Sequence, residues 1–352
     1  MQNPAPSDPA ARHVPVLPAE VLERLDPRPG ETYLDCTAGL GGHAVLIAPR
    51  LVPGGTVILN DLDEGNLARA RASVEAAAPG IRVESIHGNF ADLPRVMLER
   101  GLAADMVLAD LGFSSNQVDD AGRGLSFRAD GPLDMRLDPS APITAAELVN
   151  TLPEEELADV LWRFGEERAS RRVAAKIVAA RAEGPISTTA QLASIVRSAI
   201  GFAGHGRGKG GKRGRQGLTI DAATRSFQAL RIAVNDELGS LAAFLEAVER
   251  SAARSGAAGT DTGRATGGDT GGGRHSTTGD WLRPGARVAI IAFHSLEDRP
   301  VKRSFGGLAE RGVVERLTKR PVVAGEAETG HNPRARSAKM RAVRLAAGEA
   351  GG

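Results

Sequence analysis

At 352 residues with 41% hydrophobic content, the chain is long enough to bury one large core or two modest ones. A formal net charge of +1 excludes a global field of either sign, so any basic surface for nucleic acid must be local. The single cysteine, Cys36, excludes an intramolecular disulfide framework, and no apolar run approaches the ~18 residues of a membrane span. Residues 1–12 are polar and proline-containing, without the apolar core of a signal peptide. They are expected to be a disordered tail, and the protein to be cytoplasmic.

Apolar runs at 33–36, 57–59, 82–86 and 106–109 predict strands, and amphipathic patterns near 43–51, 64–77 and 93–100 predict helices between them. That alternation builds βαβ units, hence an α/β fold with a mostly parallel sheet covered on both faces. Asp35, Asp61 and Asp110 fall at the carboxyl ends of predicted strands, where such sheets bind ligands, so they are expected to converge on one cleft.

The first strand leads into Asp35-Cys36-Thr37-Ala38-Gly39-Leu40-Gly41-Gly42-His43, a glycine-rich turn that lets backbone approach a ligand closely. Asp61, closing the second strand, suits a ribose diol. A dinucleotide turn reads G-x-G-x-x-G, and the third glycine is missing here because Leu46 stands in its place. An acid at the strand end repels pyrophosphate but attracts an ammonium or sulfonium group, which points to S-adenosylmethionine. The usual methyltransferase turn has glycine where this chain has Thr37.

After Asp110 the pattern changes. Residues 112–139 predict an ordered loop, and 145–200 are helical throughout, with Leu148, Leu152, Leu157, Leu161 and Phe164 spaced for apolar faces. Pro153 and Thr188 mark helix starts. The α/β pattern resumes with one long helix over 222–250 and a strand over 288–293 that ends at His294; runs near 313–317 and 338–345 predict a closing hairpin. Trp162 and Trp281 are expected to be core or rim anchors. Residues 251–279, dominated by Gly, Thr, Ala and Ser, are expected to be a disordered loop.

Two basic runs stand out. One, over 204–217, carries Arg207, Lys209, Lys212, Arg213 and Arg215 on a glycine backbone without an acid; the other, over 334–344, begins with Arg334 and Arg336. In a nearly neutral chain this asymmetry fits phosphate binding. Aromatic content of 3% argues against a broad base-stacking platform.

The blocks HVPVLPAEVL from His13, LDCTAGLGGH from Leu34, LADLGFSSNQVDDAGRGLSFRADGPLDMR from Leu108, AFHSLEDRPVKRSF from Ala292 and NPRARSAKMR from Asn332 are similar to those of the RsmH (MraW) family of bacterial small-subunit ribosomal RNA methyltransferases. The resemblance spans nearly the whole chain. It implies a class I S-adenosylmethionine-dependent methyltransferase fold with an inserted all-α domain. The catalytic domain would comprise 13–118 and 222–346, and the helical insertion 119–221. The implied reaction is methylation of the exocyclic N4 amine of a cytidine in the decoding region of 16S rRNA, within the small ribosomal subunit; neither DNA nor a membrane is an expected partner. Carried over by position, the cofactor contacts are Gly41, Gly42, His43, Asp61, Phe90, Asp110 and Gln117, with Asp35 beside them. Phe113 and Asn116 depart from the family's valine and proline.

The cytosine amine is a poor nucleophile because its lone pair is delocalised, whereas a sulfonium methyl needs no acid to activate it. Holding nitrogen, methyl and sulfur in line is worth up to ~7–11 kcal/mol, and a hydrogen-bond acceptor for the amine adds to that. Amino-directed methyltransferases usually place D/N-P-P-Y after the fourth strand; this chain has Asp110-Leu-Gly-Phe-Ser114-Ser115. Asp110 is the first candidate acceptor, with a purely cofactor-binding role as the alternative. Ser114, Ser115 and His294 are further candidates, and no metal is assigned. On the residues alone, a methyltransferase of proteins or small molecules and a non-catalytic assembly factor remain alternatives.

Overall fold

Seven strands form one sheet in the order β3-β2-β1-β4-β5-β7-β6. They are β1 (Thr32–Asp35), β2 (Thr56–Asp61), β3 (Arg82–His87), β4 (Ala104–Asp110), β5 (Leu282–Ala292), β6 (Val314–Arg316) and β7 (Lys339–Leu345). β1 to β5 pair in parallel, while β7 runs antiparallel to both β5 and β6. The strand order therefore reverses between β1 and β4, the point at which open α/β sheets bind ligands. This is a computed structural model, and it describes residues 14–201, 221–258 and 279–347. The expected tail 1–12 lies outside the described residues, as do Arg207, Lys209, Lys212, Arg213 and Arg215 of the basic run.

Helices α1 (Pro18–Leu25), α2 (Gly42–Leu51), α3 (Glu64–Ala77) and α4 (Leu93–Glu99) alternate with the first strands as their periodicity requires. The strands are apolar on both faces because helices cover both. One face packs Leu34, Ile58, Val107 and Ile290 with α4 and two later helices; the other packs Tyr33, Val57, Leu59 and Leu108 with α1, α2 and α3.

The chain divides into two compact units, Met1–Gly112 with Leu238–Gly352, and Phe113–Glu237. The second contains α5 (Ser115–Asp119), α6 (Ala145–Thr151), α7 (Glu154–Gly165), α8 (Ser170–Glu183), α9 (Thr189–Ile200) and α10 (Thr224–Asn235). Its core includes Val149, Leu157, Leu161, Val173, Ile177 and Leu192. Thr188 caps α9, its hydroxyl accepting from Gln191 N–H at 3.3 Å. Trp162 is exposed, whereas Trp281 is buried in the first unit's core.

These boundaries differ from those expected at 118/119 and 221/222. Phe113 belongs with the helical unit, where the Arg231 guanidinium lies 4.7 Å from its ring centre. α10 also belongs there, because it buries Phe227, Ala229 and Leu230 in the helical core. The single helix expected over 222–250 is in fact two. Asp236, in a left-handed conformation (φ 45°, ψ 44°), separates α10 from α11 (Glu237–Ala258). α11 also absorbs the first eight residues of the segment expected as a disordered loop. Ser251 and Ala252 are buried in it, and the Ser251 hydroxyl donates to Asp280 at 2.6 Å. Residues 259–278 lie outside the described residues. Downstream come α12 (Ser295–Glu310), α13 (Glu326–His331) and a 3-10 turn at Pro333–Ser337.

Candidate functional site

The carboxyl ends of β1, β2 and β4 bring Asp35, Asp61 and Asp110 to the same edge of the sheet. Asp35 is 2% exposed. It accepts from the Tyr33 hydroxyl at 3.0 Å and from Thr37 N–H at 3.3 Å. Burial pushes its carboxyl up to about 7, and those two hydrogen bonds only partly oppose the shift.

The glycine-rich turn is tied to its neighbours through backbone groups. Ala38 N–H donates to Asn60 O at 2.8 Å, and buried Asn60 returns its side-chain amide to Cys36 O at 2.8 Å. Gly39 N–H donates to Asp61 Oδ2 at 2.7 Å, while Asp61 Oδ1 accepts from Asp63 N–H at 2.8 Å. Asp61 is thus aimed by the turn itself. Gly41 adopts φ 85°, and a Cβ there would sit 3.0 Å from Ala70 Cα, so the position demands glycine. As N-cap of α2, Gly41 brings no side chain to the helix N-terminus, where the dipole favours an anion.

His43, in the first turn of α2, is buried with Nε2 3.8 Å from Asp110 Oδ2. Asp110 N–H donates to Thr37 Oγ1 at 2.8 Å, pinning the end of β4 to the turn. Burial, the Asp35 charge and Glu297 raise the Asp110 carboxyl to about 8, and the Arg334 charge opposes them. Its side chain keeps 24% of its surface open, so water in the cleft relieves part of that penalty. Asp110 Oδ1 is nevertheless buried without a hydrogen-bond partner among the described residues. Phe90 opens a short 3-10 turn beyond β3 and packs edge-on against Phe244, its ring half-buried.

His294 follows the end of β5 and precedes α12. Its Nε2 lies 3.1 Å from Glu297 Oε1, and the other Glu297 oxygen accepts from Phe293 N–H at 2.8 Å and His294 N–H at 3.3 Å. The buried Glu297 therefore holds His294 and starts the helix in one arrangement. Ser114, Ser115 and Gln117 belong to the second unit. Ser114 and Gln117 form a reciprocal cap of α5, Ser114 N–H donating to Gln117 Oε1 at 3.0 Å, and Ser115 opens that helix.

Within the second basic run, Arg341 is committed to Asp298 at 2.7 Å and Arg344 to Glu315 at 3.3 Å. Arg336 is exposed, and Arg334 directs its charge toward Asp110. Arg136, outside that run, likewise pairs with Asp134 at 2.7 Å.

Thr37, Asn60 and Glu297 organise the site and are absent from the sequence-based set. A polar Asn60 directly after the apolar run 57–59, and before Asp61, is the available signal. Thr37 departs from the common glycine because its hydroxyl has a specific acceptor role.

A strand order reversing at a glycine-rich turn, with acids on three strand ends, defines an α/β protein of the class I methyltransferase type. Residues 10–258 and 276–346 match the MraW methylase family, and the chain belongs to that family. A protein of Sorangium cellulosum named ribosomal RNA small subunit methyltransferase H is 45% identical over 98% of this chain and 94% of its own length. A protein of the same name from Geobacter sulfurreducens is 45% identical over 94% of this chain and 98% of its own. The cofactor is S-adenosylmethionine. The donor set fits it: buried Asp35 complements a cationic ligand, the Asp61 carboxylate suits a diol, and the N-terminus of α2, without a side-chain cap, suits a carboxylate. No helix of the described residues is long and apolar enough to cross a membrane.

Proposed function

We propose that the protein methylates the exocyclic N4 amine of a cytidine in the decoding region of 16S rRNA, acting on the small ribosomal subunit in the cytoplasm. The observation that carries this reading is Asp110, whose sealed Oδ1 has no hydrogen-bond partner among the described residues at the end of β4. A buried acceptor left unsatisfied costs about 1–3 kcal/mol, a penalty that an arriving N–H donor removes. The names of the relatives, which act on small-subunit ribosomal RNA, support the substrate class.

Bound in the cleft, S-adenosylmethionine supplies an electrophilic methyl group. The chain's own residues bind and orient. The Gly41 N–H closes the turn onto Ala38 O at 2.7 Å, the amides of Gly42 and His43 receive the cofactor's carboxylate, and Asp61 accepts from the ribose hydroxyls. Asp35 sets a negative potential beneath the cationic end, and Phe90 borders the adenine. Asp110 accepts from the target amine and aligns its nitrogen with the methyl. Gln117 is assigned to the cofactor by family resemblance, and Ser114, Ser115 and His294 are further candidates for orienting the amine. Arg207, Lys209, Lys212, Arg213 and Arg215 of the helical unit, with Arg334 and Arg336, contact RNA phosphates.

The test is transfer of tritiated methyl from S-adenosylmethionine to small subunits lacking the modification. Label in the RNA fraction supports the proposal. Label confined to ribosomal protein, or absent, overturns it.

A further inference from the structure

Residues 14–17 form a short strap ahead of α1. The Pro15 ring lies over Gly42, the first residue of α2, so closely that a Cβ on Gly42 would come within 3.3 Å of Pro15 Cβ. The strap cannot hold this course by itself. Leu17 is left-handed, with φ 52° and ψ 43°, a conformation L-residues avoid on steric grounds. Such a residue persists where its surroundings over-determine it, and these sites cluster at ligand clamps.

The surroundings here come from the other end of the chain. Leu17 N–H donates to Glu328 Oε1 at 2.7 Å, and the Asn332 side-chain amide donates to Val14 O at 3.0 Å. Asn332 is itself fixed. It is buried, its N–H donates to Glu328 O at 2.7 Å, and its Oδ1 accepts from Arg334 N–H at 3.2 Å. The end of α13 and the turn after it therefore clasp the strap, and the strap bears on the first residue of the cofactor helix.

We propose that Glu328 and Asn332 are positioning residues for S-adenosylmethionine, holding residues 14–17 against Gly42 so that the amides of Gly42 and His43 keep one geometry. The inference rests on the cofactor assignment to that turn. Because the clasp acts through the turn alone, its loss weakens cofactor binding and leaves subunit affinity and the step at saturating cofactor unchanged.

Calorimetric titration of the full chain with S-adenosylmethionine tests this, using wild type, Glu328→Ala, Glu328→Gln and Pro15→Ala. Glu328→Ala loses a charge-assisted bond and is expected to weaken binding by about tenfold. Its KM for cofactor rises while kcat and the KM for the subunit stay at wild-type values. Glu328→Gln, which keeps an oxygen acceptor for Leu17 N–H, restores most of the affinity, a rescue that a merely structural charge would not show. Pro15→Ala leaves the clasp intact and weakens binding in the same sense, so the test stands even where Glu328→Ala folds poorly. Wild-type affinity in both Glu328→Ala and Pro15→Ala overturns the inference. Absence of cofactor binding by the wild type overturns the cofactor assignment instead.

Discussion

The backbone amide of Asp110 donates to the hydroxyl of Thr37 at 2.8 Å, joining the end of β4 to the turn that follows β1. One hydroxyl therefore registers the candidate acceptor for the substrate against the residues proposed to hold the cofactor. Thr37→Ser keeps the oxygen and is expected to retain near-wild-type activity. Thr37→Ala leaves a partly buried amide unsatisfied, at a cost of about 1–3 kcal/mol, and lowers kcat at saturating cofactor. Steady-state kinetics on the two variants checks this; equal activity would detach Thr37 from the site.

Asp35 carries a pH dependence whose sign follows from its burial. Its carboxyl rises from an ordinary 3.8 to about 7 in the folded chain. Between those values the folded state holds a proton that the unfolded chain has released, so stability falls as pH rises through that window. Above about pH 7 the full cost of the buried charge is present. Asp35→Asn is therefore expected to stabilise the protein by roughly 2–4 kcal/mol at alkaline pH and by nearly nothing near pH 4. It should weaken S-adenosylmethionine binding, since the charge facing the cation is gone. Denaturant melts at both pH values, with cofactor titrations, measure the two effects.

Asp110 is expected to act in the transfer step as well as in binding. Asp110→Asn preserves a carbonyl acceptor and should retain more single-turnover activity than Asp110→Ala, both read at saturating cofactor and bound subunit. Full recovery of the alanine variant by excess cofactor would confine Asp110 to cofactor binding.

Strand and helix positions were legible because both faces of the sheet are covered and the turns are marked by glycine and acid. β2 and α3 begin and end within two residues of their apolar patterns. The break at Asp236 had no glycine or proline to announce it, so α10 was joined to the wrong unit. Contacts made across long separations were invisible: Thr37 meets Asp110 across 73 residues, and Leu17 meets Glu328 across 311. The run 334–344 looked uniformly basic because sequence does not show that Arg341 and Arg344 already face Asp298 and Glu315.

That distinction is itself testable. Arg336 is exposed on the turn after α13, whereas Arg341 is half-buried in its pair with Asp298. Arg336→Ala is expected to flatten the salt dependence of subunit binding by roughly 0.7–0.9 in the log–log slope, as for one lost phosphate contact. Arg341→Ala should leave that slope unchanged and lower thermal stability instead. Filter binding across a salt series, with melting curves, separates them.

The most direct measurement is mass spectrometry of nucleosides from unmodified small subunits incubated with the enzyme and S-adenosylmethionine. One new methylated cytidine per subunit is expected, with the methyl on N4, as base fragmentation would reveal. A methyl on C5 or on a ribose hydroxyl, or an RNA free of new methylation beside a methylated protein, would contradict it.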